Sequence, residues 1–273
     1  MIIKTLIENT STSDKFGYEH GLSLYIETEH EKILFDTGAS SLFQQNALKM
    51  DVKINNVDIL VISHGHNDHG GGLNTFLQVN KTAKIYIHQK AFEKHYALSE
   101  EGQSIHIGLD ENLNHNSQLV LTADRFFIRK NIQLFSKVKH REPLPITNSG
   151  LKAEQNGELV NDNFAHEQNL VIEEAGKTLL VTGCAHNGIV NILKHFHDLM
   201  GRDPDTVIGG FHLSSRTTGN ERSESIHQIG HYLKKTQAVF YTGHCTGAEP
   251  YNQLRSLMGE QLNQLTTGSE ISL

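Results

Sequence analysis

The sequence predicts an α+β fold in one continuous domain, on three observations. Strand-like and helix-like segments alternate along all 273 residues, and no Pro/Ser-rich linker or low-complexity tract interrupts them. Five apolar strand-like runs each stop at a small or polar loop, so loops distant in sequence can converge at one edge of packed sheets, where enzymes tend to place their sites. A chain of this length also buries roughly three quarters of its unfolded surface, enough for a real core.

Each element has its own local reason. Met1–Ile7 reads as the first strand, since it lacks the basic start and long apolar stretch of a signal peptide. Leu22, Leu24 and Ile26 alternate ahead of a turn at Glu29-His-Glu31, and Lys32–Phe35 then runs into Asp36-Thr-Gly38: a hairpin ending in a functional loop. Ser40–Met50 is expected to be helical, and Val57–Ser63 and Lys84–His88 to be strands. Residues 92–161 form the least strand-like stretch and are expected to be an insertion that selects the substrate. Arg141, Lys137 and Lys139 are its candidate phosphate contacts and Tyr96, Phe126 and Phe127 its candidate stacking rings, although solvated charge and ordinary core packing are the commoner fates of such residues. Leu170–Glu173 and Thr178–Thr182 are joined by a turn at Ala175-Gly176, and Ile189, Ile192, Leu193 and Phe196 then share one face of an amphipathic helix. Strands at Thr206–Gly209 and Ala238–Thr242 flank a helix over Ser223–Lys235, with Ser223 as its expected N-cap and Ile226, Ile229 and Leu233 facing inward.

Charge narrows the function. Lys and Arg number 24 against 31 Asp and Glu, a net charge of −7 with no basic block, which argues against a general electrostatic grip on nucleic acid while leaving room for a local phosphate pocket. No apolar run approaches the roughly 18 residues of a membrane helix, so the expectation is a cytoplasmic protein that neither spans a membrane nor binds nucleic acid. The two cysteines, Cys184 and Cys245, are too few for a disulfide framework. Each lies within two residues of a candidate ligating histidine, so a ligand role and an inert buried thiol both stay open.

The chemistry concentrates in His64-Gly-His-Asn-Asp-His-Gly-Gly-Gly-Leu73, directly after the apolar run Ile59-Leu-Val-Ile62. In extended chain alternate side chains share a face, so His64 and His66 can meet one ion while Asp68 and His69 turn toward a second point. Two ions need further ligands. His186 and His244 fit best, because each lies just past a Gly at the end of a strand, where the backbone can come close to a metal. His212, flanked by Phe211 and Leu213 as pocket walls would be, is expected to face substrate rather than ligate. Asp36 is expected to accept a proton from a ligating imidazole and so fix its tautomer. Histidine pairs such as His195 with His197, or His227 with His231, sit at helical spacing and read as solvated faces.

The His64–His69 cluster followed by Gly71-Gly-Leu73, with Leu34-Phe-Asp-Thr-Gly38 upstream, resembles the metallo-β-lactamase superfamily. Glu8-Asn9, Glu19-His-Gly-Leu-Ser23, Thr182-Gly-Cys-Ala-His-Asn-Gly-Ile-Val-Asn191, Gly209-Gly-Phe-His-Leu213 and Tyr241-Thr-Gly-His-Cys-Thr-Gly247 look like its branch of dihydropterin-ribofuranosylaminobenzene-phosphate synthase-like metal-dependent hydrolases. The resemblance implies a four-layer αββα sandwich with a metal site at one sheet edge. It implies two divalent ions, zinc first, with iron and manganese also suited to His and Asp ligands. Many members carry a bridging Asp immediately after a Thr-Gly pair, where this chain has Cys184, with His186 two positions on; His186 ranks ahead of Cys184 as the ligand. His166, in Asp162-Asn-Phe-Ala-His-Glu167, lies near the place of the superfamily's third ligand motif, but Asp162 and Glu167 look more like the branch pattern than His166 does.

The implied activity is hydrolysis of a small phosphorylated or ester/lactone-type metabolite by metal-activated water. Asp68 would orient the attacking group, and His212 would bind the developing oxyanion with Phe211 and Arg141 against the substrate. The alternatives are a transferase displacing pyrophosphate from a pterin and, in another class, a metal-containing sensor without turnover. The expected partner is a small molecule, and a homo-oligomer is compatible with the sequence.

Overall fold

The computed structural model describes residues 1–273, and the chain folds into two compact units. The first comprises Met1–His95, Ile107–Ala123 and Leu265–Leu273. The second comprises Tyr96–His106 and Asp124–Gln264.

The first unit is built on a seven-stranded sheet. Its strands are β1 (Ile2–Ile7), β2 (Ser23–Glu27), β3 (Lys32–Phe35), β4 (Ile59–Ile62), β5 (Lys84–His88), β8 (Leu119–Thr122) and β20 (Glu270–Ser272), in the order β20-β1-β2-β3-β4-β5-β8. The β2–β3 hairpin is antiparallel, and β3, β4, β5 and β8 then run parallel. Every residue of β4 is buried, which is why Ile59–Ile62 reads as an unbroken apolar run rather than an alternating one. Helix α1 (Leu42–Lys49) follows β3, α2 (Asn67–Gly70) follows β4 and α3 (Leu73–Val79) comes directly after α2, and Phe43, Ala47, Leu73 and Phe76 pack with Leu34, Leu60, Ile62 and Ile85 in one apolar cluster.

The second unit repeats this logic with a sheet ordered β19-β18-β15-β14-β13-β10-β9. Its strands are β9 (Arg125–Arg129), β10 (Ile132–Phe135), β13 (Asn169–Glu174), β14 (Lys177–Val181), β15 (Thr206–Ile208), β18 (Val239–Thr242) and β19 (Leu262–Gln264). The β13–β14 hairpin turns at Ala175 (φ 50°) and Gly176 (φ 77°), two consecutive left-handed residues of the kind that match the twist of paired strands. Helices α4 (Ile189–Met200), α5 (Ser223–Lys235) and α6 (Ala248–Met258) cover this sheet through a cluster that includes Ile189, Ile192, Phe196, Ile226, Leu254, Val207 and Phe240. A small sheet of β12 (Glu158–Asn161), β11 (Leu151–Gln155), β6 (His95–Leu98) and β7 (Ser104–His106), and a two-stranded ribbon of β16 (Ser214–Ser215) and β17 (Gly219–Asn220), complete the set.

Two expectations change. The stretch 92–161 is not poor in strands: it holds β6 to β12. These strands have three to five residues, and several, such as β7 and β12, bury almost nothing, so they carry no alternation to detect. Ser223 is the first helical residue of α5 rather than its cap; the extended cap position is Arg222, whose N–H donates to Glu221 Oε1 at 3.0 Å. No helix is long and apolar enough to cross a membrane.

Candidate metal centre

In the first unit, β3 ends at Asp36, which takes a left-handed φ of 60° and is fully buried. Its carboxylate collects three donors: Ser63 N–H at 2.7 Å on Oδ1, and Ser63 Oγ and His69 Nδ1, each at 2.7 Å, on Oδ2. Because the Ser63 hydroxyl proton goes to Asp36, Ser63 Oγ is left to accept from His64 Nδ1 at 2.9 Å. One buried carboxylate thereby sets the tautomer of two imidazoles, holding the protons of His64 and His69 on Nδ1 and leaving each Nε2 as a lone-pair donor. His64 Nε2 lies 3.1 Å from His66 Nδ1. A tetrahedral zinc with nitrogens at about 2.05 Å would separate such a pair by roughly 3.4 Å, so this donor set fits a metal.

Asp68 stands at the rim, 18% exposed, with Oδ2 at 3.7 Å from His69 Nε2 and 3.4 Å from His20 Nε2. The loop itself is held by main chain: Thr37 N–H donates to His69 O at 2.7 Å and Leu22 N–H to Asp68 O at 3.3 Å. A Cβ on Gly71 would lie 2.3 Å from Ala39 O, and one on Gly65 would lie 2.3 Å from Ala91 O, so backbone approach at these two positions admits no side chain.

In the second unit, β14 leads into Cys184, Ala185 (φ 58°) and His186. Here a buried carboxylate grips backbone. Glu167 accepts from His186 N–H at 2.6 Å, Asn187 N–H at 3.0 Å and Asn187 Nδ2 at 2.7 Å. Burial dominates its titration and raises its pKa above the ordinary carboxylate value, while the Asn187 and His186 hydrogen bonds pull the other way. Asn148 brackets His186, accepting from Nδ1 at 3.1 Å and donating to its carbonyl at 2.8 Å, which again directs Nε2 outward; Phe164 stacks on the ring at 4.5 Å and 6°.

His212 takes a left-handed φ of 47°. Its N–H donates to Cys245 Sγ at 3.3 Å and its carbonyl accepts from Thr147 Oγ1 at 2.6 Å. The ring, 4.2 Å from that of His186, is buried with neither nitrogen hydrogen-bonded, the condition of an imidazole built to meet something other than protein. The potential ligand atoms of Cys184, His186 and His212 lie within 4.8 Å of one another, as do those of Cys184, His244 and Cys245. Burial would raise the Cys245 thiol, but its hydrogen bond with Cys184 and the nearby charges of His244 and His212 outweigh burial and leave its pKa well below the ordinary cysteine value.

The structure therefore gathers His64, His66, Asp68, His69 and Asp36 in one unit and Cys184, His186, His212 and His244 in the other. Arg141 stands apart, paired on the surface with Asp198 at 2.5 Å, an interaction that holds the Asp198 carboxyl below its usual pKa. Phe211 is fully buried and set edge-on to Phe240 at 6.2 Å. His166 pairs with Asp162 at 3.2 Å. Sequence reasoning assigned no role to Ser63, His20, Asn148 or His95, whose ring lies 5.6 Å from that of His66. Only His20 carried a usable signal, its place in Glu19-His-Gly-Leu-Ser23.

Residues 17–216 match the model of the metallo-β-lactamase superfamily. The chain belongs to this superfamily. It is 31% identical to the 7,8-dihydropterin-6-methyl-4-(β-D-ribofuranosyl)-aminobenzene-5′-phosphate synthase of Methanocaldococcus jannaschii, an alignment covering 98% of this chain and 95% of that one. A crystal structure of a metal-dependent hydrolase of the β-lactamase superfamily superposes with a TM-score of 0.84 at 27% identity, covering 100% of this chain and 99% of that one. The zinc-bound PqqB of Methylobacterium extorquens shares the fold alone, with a TM-score of 0.60 at 13% identity over the whole of both chains. Metallo-β-lactamase-like sheets and helices, as the sequence predicted, are thus this protein's fold, and metal-dependent hydrolases share it.

Proposed function

We propose that this metallo-β-lactamase superfamily protein is a dinuclear metal-dependent hydrolase of a small phosphorylated or ester/lactone-type metabolite. The observation that carries this reading is the Asp36–Ser63 arrangement, which fixes His64 and His69 with Nε2 available. A histidine needed only for packing has no use for such control. His64, His66, Asp68, His69, His186 and His244 are the proposed ligands, with zinc as the first choice and Cys184 the further donor.

Divalent ions, when bound, supply Lewis-acid polarisation of a substrate oxygen and a lowered pKa for water. The chain's own residues do the rest. Asp36 and Ser63 keep two imidazoles in one tautomer; Asn148 does the same for His186. Asp68, at the solvent-facing rim, orients the attacking water by accepting its hydrogen bond. A protonated nitrogen of His212 donates to the oxygen on which charge develops, with no protein partner to give up first.

The identity to the Methanocaldococcus synthase favours one second reading, a transferase that releases pyrophosphate from a pterin as an aromatic carbon attacks. Zinc-loaded protein assayed against phosphomonoesters, phosphodiesters, lactones and pterin pyrophosphates separates the two. Hydrolysis without an aromatic co-substrate supports the hydrolase; pyrophosphate release that requires one supports the transferase. Tight binding of a small molecule without turnover of any would overturn both in favour of a sensor.

A further inference from the structure

The proposed ligands leave two stretches of the first unit without a task, Glu8-Asn9 and Glu19-His-Gly-Leu-Ser23. Both are firmly held. Glu8 N–H donates to Thr267 Oγ1 at 2.8 Å, and the buried Glu8 carboxylate accepts from Thr10 N–H at 2.7 Å and Thr10 Oγ1 at 2.8 Å, so Asn9 sits between two fixed neighbours. Glu19 accepts from the N–H groups of Ala39 and Ser40, each at 3.1 Å, and from Ser40 Oγ at 2.7 Å. Past Glu19 the chain lies against the histidine loop. Leu22 N–H reaches Asp68 O, and a Cβ on Gly21 would stand 2.5 Å from that same carbonyl, an approach that only glycine permits.

His20 is carried between these anchors. Its side chain is 45% exposed and places Nε2 3.4 Å from Asp68 Oδ2. The other ring nitrogen, Nδ1, lies 3.2 Å from Asn9 Nδ2. The orientation of the Asn9 amide is set by its Oδ1, which accepts from Gly21 N–H at 3.3 Å. Nδ2 is therefore the donor to His20, and a ring nitrogen that accepts carries no proton. The neutral His20 ring is left with its proton on Nε2, aimed at the carboxylate. Asp68 Oδ2 then stands between His20 on one side and His69 Nε2, at 3.7 Å, on the other, which limits how this carboxylate can turn at the solvent-facing rim.

We propose that His20 is a positioning residue of the metal centre: its Nε2–H, fixed by Asn9, donates to Asp68 and holds the carboxylate toward His69. The inference rests on the reading of Asp68 as a metal ligand. A histidine that merely covered the surface would need neither the Asn9 amide on its far nitrogen nor a glycine beside it.

The test uses the whole purified protein. In the metal-free protein at mildly alkaline pH, long-range proton–nitrogen NMR should find the His20 proton on Nε2, the signal being assigned by its loss in His20→Gln; a proton on Nδ1 overturns the proposal. His20→Ala should weaken zinc binding roughly tenfold in competition with a chelator, the lower end of the effect of losing a donor to a ligand. His20→Gln, whose amide N–H can take the place of Nε2–H, should keep most of the wild-type affinity, and Asn9→Ala, which releases the tautomer, should show a smaller loss than His20→Ala. Asp68→Ala should itself lower zinc affinity, and adding His20→Ala to it should change nothing further. Given that loss in Asp68→Ala, unchanged affinity in His20→Ala, equal losses in the Ala and Gln variants, or an undiminished His20→Ala effect without Asp68 overturns the role of His20 and leaves Asp68 a ligand. Wild-type zinc affinity in Asp68→Ala removes Asp68 from the centre, and the role of His20 falls with it.

Discussion

Asp36 and Glu167 are both buried acceptors beside proposed ligands, but they hold different things. Asp36 binds a side chain directly, through His69 Nδ1, and a second through the Ser63 hydroxyl. Glu167 binds the main chain of His186 and Asn187 and the Asn187 amide, and its hydrogen bonds go to no imidazole. Ring tautomer in the second unit falls instead to Asn148, a neutral group. The first unit therefore couples protonation state and position in one residue, whereas the second divides them. Loss of Asp36 should be felt in metal affinity, and loss of Glu167 in folding.

The largest expected effect removes a ligand from the Asp36 side. His66→Ala should abolish metal-dependent turnover and lower zinc content while the circular dichroism spectrum stays unchanged; an active variant would remove His66 from the centre. Glu167→Ala comes next. It strands two buried backbone N–H groups and one of the two N–H donors of the Asn187 amide, and should cost about 2–4 kcal/mol in urea unfolding with the slope of the transition preserved. A variant of wild-type stability would contradict the anchoring role. Asp36→Asn places an amide NH₂ against groups that now donate, which favours the other His69 tautomer. Zinc affinity should fall roughly 10- to 100-fold by competition with a chelator, with a smaller change in melting temperature than Glu167→Ala produces. Should the order of melting temperatures reverse, the proposed division of labour fails. Arg141→Gln is the smallest. Its pairing lowers the pKa of Asp198 in the folded state, so the stabilisation exists above the ordinary carboxylate pKa and is lost as pH falls through the lowered value. Wild-type and variant melting curves should differ slightly at neutral pH and converge in acid.

How much was legible in the sequence follows from the range of each interaction. The histidine loop could be read because its ligands are neighbours in the chain and sit after an apolar strand. Asp36 could be assigned because a carboxylate at a strand end is a familiar partner for imidazole. Glu167 and Asn148 reach His186 across 19 and 38 residues, and nothing local to either announces such a pairing. Ser63 looked like the end of a strand, since a hydroxyl relay depends on where Asp36 and His64 both fall. The strands of residues 92–161 were missed for a different reason. Arg125-Phe-Phe-Ile-Arg129 exposes most of its length, so hydrophobic periodicity, which reports burial, had little to report.

The glycines behind the histidine loop carry a consequence for how this scaffold can change. Since Thr37, Leu22 and the close packing at Gly65 and Gly71 fix the path of the loop through peptide groups, its course owes little to which side chains project from it. Imidazole, carboxylate or amide could be exchanged at the projecting positions while the ribbon beneath kept its shape. Route and reactivity are separately editable, and a lineage or a designer could retune the preferred ion without first rebuilding the frame.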